Sequence, residues 1–124
     1  MKELFWLAVA GAAGTLARYG LSGVAQKLGG AGFAWGTLSV NALGCFLFGL
    51  VWTLADERLI TSGQTRFIVL TGFMGAFTTF STFAFETGRY LEDSQWGLAA
   101  ANLLGQNVLG LTCLLLGWAV GRLL

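Results

Sequence analysis

Three stretches of this chain carry no charged side chain: residues 28–55, 67–85 and 94–121. An Asp, Lys or Arg at the centre of a membrane helix costs about 2.5 to 3.5 kcal/mol on insertion scales. The gaps between charges therefore mark where the chain can cross a bilayer, and each approaches or exceeds the roughly 20 residues that a crossing helix needs. A fourth stretch, residues 4–17, is clean but short, and it reaches crossing length only with Arg18 inside it. We place four spans at 4–25, 34–55, 65–90 and 96–121. The expected fold is an all-α membrane protein of four transmembrane helices, one domain over residues 1–124.

Composition agrees. The chain is 56% hydrophobic and 10% charged, whereas a soluble domain carries about a quarter charged residues. A net charge of +1 leaves no basic patch for neutralising phosphates, so nucleic acid is not an expected partner. With no His and only Cys45 and Cys113, no zinc site or hydrolytic triad can be built within one chain. Neither a nucleophile–base pair nor a metal cluster marks it as an enzyme. Both thiols lie in apolar runs, as lipid-facing or packed side chains. The N-terminal apolar run continues as membrane sequence and is not read as a cleaved signal.

The connectors suit hairpins between consecutive spans. Gly29, Gly30 and Gly32 interrupt the chain after Lys27, Asp56-Glu57-Arg58 with Ser62-Gly63 forms a polar turn, and Glu92-Asp93-Ser94 offers acids and a cap for the fourth span. Gly11-x-x-Gly14, Gly32-x-x-x-Gly36 and Gly117-x-x-x-Gly121 supply the small residues that let membrane helices approach closely. Trp6, Trp35, Trp52, Trp96 and Trp118 fall near span ends, as interfacial anchors do.

Charge gives almost no preference for direction. With a cytoplasmic N-terminus, Lys2, Arg58, Arg66 and Arg122 lie on one side and Arg18, Lys27 and Arg89 on the other, four of the seven basic residues against three. Orientation follows an excess of Lys and Arg, so copies can insert both ways and pair antiparallel. If Arg18 is buried instead, the count becomes four against two and favours one orientation.

The third span holds Gly72-Phe73-Met74-Gly75-Ala76-Phe77-Thr78-Thr79-Phe80-Ser81-Thr82-Phe83, in the middle of its charge-free stretch and hence near the midplane. Two glycines and four hydroxyl residues weaken the helix there. Broken backbone at that depth must be buried or line a cavity; its freed carbonyls suit a hard cation such as Na⁺, and its freed N–H groups suit an anion. Phe77, Phe80 and Phe83 recur every three residues, one drifting stripe on a helix. Their positive ring edges can attract a small anion, or they can simply pack. In the second span, Thr37 and Asn41 share a face; in the fourth, Asn102 and Gln106 do so, followed by Asn107. These amides either tie helices together or continue a polar track. Arg18 suits a vestibule or the interface, and Glu86 is expected to pair with Arg89 three residues on.

These residues carry a resemblance. Gly11 to Tyr19, Gly36 to Gly44 and Gly72 to Phe83 with Glu86 after it resemble the CrcB/Fluc family of fluoride channels over essentially the whole chain. The likeness implies an antiparallel, dual-topology homodimer in the bacterial inner membrane, with two passive pores exporting fluoride and thereby giving fluoride resistance. It implies Phe80 and Phe83 as pore phenylalanines, Asn41 as the pore amide, and Ser81, Thr82 and Thr79 beside the ion path. A structural Na⁺ at the dimer centre would rest on backbone carbonyls of Gly75 and Thr78. Asn102 matches the family's asparagine, while Gly105-Gln106-Asn107 aligns with no serine track. Two other classes compete: a small proton-coupled multidrug transporter, which needs an intramembrane acid that only Glu86 could supply, and a non-conducting membrane assembly subunit in which the aromatics and amides merely pack.

Overall fold

A computed structural model describes residues 1–124, and it is helical throughout apart from short connectors. Helix α1 covers Lys2–Gly29, α2 Trp35–Glu57, α3 residues 63–77, α4 Phe80–Glu92 and α5 Trp96–Leu123. Helices α1, α2 and α5, and α3 with α4 taken together, are each long and apolar enough to cross a membrane. They overrun the spans expected from charge because backbone hydrogen bonding does not stop where apolar side chains do. Arg18 accordingly sits inside α1.

The ends follow local chemistry. α1 stops at Gly30, whose φ of 86° is readily available to glycine alone. α2 widens into a π-helical turn over Thr53–Glu57. α3 is capped by Ser62, whose side chain accepts the Thr65 N–H, and it widens into π geometry over Ile68–Met74 before closing as α-helix. The expected cap at Ser94 is corrected: Ser94 takes a left-handed φ of 55° to turn the chain, and Gln95 precedes α5 without a side-chain cap.

Packing departs from a simple succession of hairpins, because the closest partner of α2 is α5. Glycine makes this seam. A Cβ on Gly49 would lie 2.4 Å from the Leu114 carbonyl oxygen, and one on Gly117 would lie 2.1 Å from that of Phe46. Gly121 lies against the Thr53 side chain, where a Cβ would come within 2.8 Å. A second close contact joins α1 to α3, where a Cβ on Gly14 would lie 2.3 Å from the Phe73 carbonyl oxygen. Of the glycines singled out by spacing, Gly36 packs on Ser22 of α1, while Gly32 meets nothing. Only 19 of 124 residues are buried, and large apolar side chains such as Leu16, Phe48, Leu104 and Leu111 lie exposed on the outer faces, the pattern of segments solvated by lipid. Trp52 and Trp118 carry the guanidinium groups of Arg66 and Arg122 over their rings at 4.9 and 6.0 Å.

Candidate functional site

The third span changes character at Thr78 and Thr79. Both are extended, with ψ of 160° and 115°, a conformation that their branched Cβ atoms favour. The last helical bond of α3 runs from the Thr78 N–H to the Met74 carbonyl, 3.1 Å. Beyond it the Asn41 side chain takes over: Thr79 N–H donates to Asn41 Oδ1 at 2.8 Å, and Asn41 Nδ2 donates to the Thr79 carbonyl at 3.0 Å. One amide thus brackets the exposed peptide as a neighbouring strand would. Thr79 then caps α4, its hydroxyl accepting the Thr82 N–H at 3.2 Å and donating to Thr82 Oγ1 at 3.1 Å.

This arrangement frees backbone groups. The carbonyls of Gly75, Ala76, Phe77 and Thr78 receive no bond from the connector or from a side chain, and the N–H groups of Phe80 and Ser81 donate none. An oxygen-rich edge therefore lies beside a helix N-terminus, groups suited respectively to a hard cation and to an anion. Gly75 lies on the exposed side of the chain.

Two cavities flank the break. One, about 310 Å³, is lined by Asn41, Phe80, Phe83, Gln106 and Asn107 together with Cys45. The other, about 550 Å³, is lined by Arg18, Thr37, Thr82 and Glu86 with Tyr19 and Ser22. Thr79 belongs to both, and it alone does. The Phe80 and Phe83 rings meet edge to face, 5.5 Å apart at 70°; Phe80 is 77% exposed and Phe83 is 6% exposed.

The break divides the expected aromatic stripe. Phe77 belongs to α3, where it is buried and stacks on Phe73 at 5.7 Å, because helical periodicity does not continue through two extended residues. The expected Glu86–Arg89 pair is also corrected. Glu86 turns inward to accept the Thr37 hydroxyl proton, and Arg89 reaches Glu92 at 3.1 Å. A cavity-facing acid finds a buried hydroxyl, whereas the exposed Arg finds the exposed acid of the next turn.

The polar residues of α5 have different surroundings. Asn102 is fully buried, lines neither cavity and donates to Thr87 Oγ1 at 2.9 Å. Gln106 Oε1 accepts from Asn41 Nδ2 at 3.0 Å. Asn102 Oδ1 and Gln106 Nε2 are buried without partners, a state that costs about 1–3 kcal/mol for each group. Ser81 is exposed and lines neither cavity. Cys45 and Cys113 are free and half-buried.

Two residues that matter drew little notice in the sequence. Gln26 donates to the Gly30 and Phe33 carbonyls at 2.6 and 2.8 Å and accepts the Gly36 N–H at 3.2 Å, thereby holding the α1–α2 connector. Those partners come together only through the folded turn. Thr87, the acceptor for Asn102, was likewise unremarkable, although a hydroxyl one helical turn beyond Phe83 offered a weak hint.

A family model described as CrcB-like protein, Camphor Resistance (CrcB), matches residues 5–118. The chain belongs to the CrcB family. The CrcB match takes in the helical break and every residue lining the two cavities. A relative from Nitrosococcus oceani named fluoride-specific ion channel FluC is 62% identical, covering 99% of this chain and 98% of its own. Relatives of the same name from Solidesulfovibrio magneticus and Maridesulfovibrio salexigens are 54% and 48% identical, each over 100% of this chain and 99% and 98% of their own.

Proposed function

We propose that this chain forms a fluoride-selective passive channel of the bacterial inner membrane, exporting fluoride as an antiparallel homodimer with two pores. The observation carrying this reading is the junction of two cavities at Thr79, beside Phe80 and Phe83, in a chain so similar to proteins named for fluoride conduction.

Fluoride is small and strongly hydrated, so it enters a narrow passage only where protein donors replace water. The larger cavity offers Arg18 and the Thr82 hydroxyl, which accepts from Thr79 and keeps its own proton to donate. Past Thr79, the smaller one offers phenyl edges and amides without a full positive charge. Neutral donors let an ion bind and leave, as conduction requires. Ser81, exposed at the start of α4, would meet the path from the second copy's side.

Dimerisation in opposite orientations agrees with the near-balanced basic residues. It also agrees with bare helix surfaces at Gly20, Gly23 and Gly88, where nothing in the chain approaches. The unpaired carbonyls of Gly75 and Thr78 are the oxygen donors that a Na⁺ at the centre of such a dimer would need, and Gly75 lies on the exposed side. Na⁺ there would supply fixed positive charge that holds together the broken backbones of two copies.

Efflux from liposomes tests the proposal. Protein-loaded vesicles are expected to release fluoride quickly and electrogenically while retaining chloride, with release abolished by Phe80→Ile. Folded, dimeric protein that releases no fluoride would return the aromatics and amides to packing roles. Proton movement lost with Glu86→Gln would instead indicate a proton-coupled transporter.

A further inference from the structure

We infer that the end of the chain where α2, α3 and α5 bring Arg58, Arg66 and Arg122 together holds the phosphodiester headgroup of an anionic membrane phospholipid, with Arg58 as its main ligand. Such a site lies outside the two cavities and requires neither fluoride conduction nor a second copy.

The three guanidinium groups face two carboxylates. Arg122 donates through Nε and Nη2 to Glu57 at 3.0 and 2.9 Å, and Arg66 donates through Nη1 to Asp56 at 2.5 Å. Both acids are thereby taken. Arg58 is exposed and pairs with no carboxylate; it gives one of its five N–H bonds to the Arg122 carbonyl. A carbonyl does not neutralise a guanidinium, so an anion is the complement that Arg58 lacks. The rest of the chain supplies none. At the opposite end Lys27 and Arg89 are matched in number by Glu92 and Asp93, Arg18 and Glu86 cancel within the spans, and Lys2 cancels with Glu3. The net charge of +1 therefore resides on the arginine cluster.

Apolar groups beside this excess favour a lipid over a free anion. Trp52 and Trp118 lie under Arg66 and Arg122 at 4.9 and 6.0 Å, and Trp marks the depth of the headgroups. Immediately after Arg58, Leu59 turns the chain at a left-handed φ of 52°, which costs an L residue energy. Leu59 and Ile60 are thereby left 79% and 64% exposed. Two backbone bonds fix the turn against the end of α2: Arg58 N–H donates to the Thr53 carbonyl at 3.1 Å, and Ile60 N–H to the Leu54 carbonyl at 3.0 Å. A held cation with two bare apolar side chains beside it matches the boundary between phosphates and acyl chains. There the guanidinium fork takes phosphate oxygens while Leu59 and Ile60 enter the hydrocarbon. A lipid so bound ties the end of the α2–α5 seam to the headgroup layer.

Native mass spectrometry of the full chain, released from detergent after equilibration with equal amounts of phosphatidylglycerol and phosphatidylcholine of the same acyl chains, tests the assignment. Wild-type protein is expected to retain phosphatidylglycerol over phosphatidylcholine by about five- to tenfold, the scale of one or two basic residues at a membrane surface. Arg58→Gln is expected to bring the ratio close to one. Lys27→Gln, which removes the same charge from the opposite end, leaves it unchanged. An excess of inorganic phosphate is expected to leave the lipid bound. Equal retention of the two lipids by wild-type protein overturns the proposal without any variant. An undiminished preference in folded Arg58→Gln, or an equal loss in Lys27→Gln, overturns it as well, the latter by showing that total charge rather than this cluster selects the lipid. Displacement of phosphatidylglycerol by inorganic phosphate would make this a site for free anions and overturn the lipid assignment.

Discussion

The α2–α5 seam and the α3–α4 junction solve the same problem by opposite means. At the seam, both helices keep their backbone bonds, and glycine lets them touch: Gly49 lies on the Leu114 carbonyl and Gly117 on that of Phe46. At the junction, the backbone gives up its helical bonds, and the Asn41 side chain returns two of them to Thr79. Lipid supplies no hydrophobic drive between helices and no hydrogen bonds to bare peptides. Close packing meets the first condition without exposing any polar group. Of the two, only the second arrangement leaves carbonyls and N–H groups free, the groups an ion could use.

The sharpest way to break the contrast is Asn41→Ala. It leaves the Thr79 N–H, its carbonyl and Gln106 Oε1 without partners and is expected to cost about 3 kcal/mol or more, measured by thermal unfolding of purified protein, with fluoride efflux lost in parallel. Gly117→Ala attacks the seam instead. Its Cβ would lie 2.1 Å from a carbonyl oxygen, and separating the helices should cost about 1–3 kcal/mol. The protein that does fold should keep fluoride over chloride, since neither cavity contains Gly117. Thr79→Val keeps the shape but removes the cap of α4, for a loss of about 1 kcal/mol and slower efflux. Gly97→Ala, where nothing lies within 4 Å, should change stability by less than about 1 kcal/mol and leave flux alone; a large loss there would show that helix surfaces, rather than the seam, carry the packing.

Much of this architecture is legible in residue order. The gaps between charges locate three of the four membrane-capable segments, since the cost of a buried charge acts on each position separately, and the first follows once Arg18 is taken inside it. Gly72 to Phe83 marks where the third segment is weakest, because glycine and hydroxyl residues act on their own turn. The exact residues do not follow from this: Gly72 and Gly75 remain helical, and Thr78 and Thr79 are the extended pair. Bracketing by Asn41 involves a residue 38 positions away, beyond the reach of local preference. The same limit explains Phe77, which left the aromatic stripe, and Ser94, which became a turn residue.

Which polar groups find partners is the least local property. Asn41, Asn102 and Gln106 look alike as intramembrane amides, yet one brackets a peptide, one ties α5 to α4, and one keeps a free donor beside two phenylalanines. Glu86 is one helical turn from Arg89 and instead meets Thr37. Residue order alone determines segments, because helix formation and membrane insertion are governed by neighbouring residues and summed hydropathy. Tertiary structure decides partners, because a hydrogen bond depends on which atoms from distant helices arrive within about 3 Å, and that pairing settles which donors are left over.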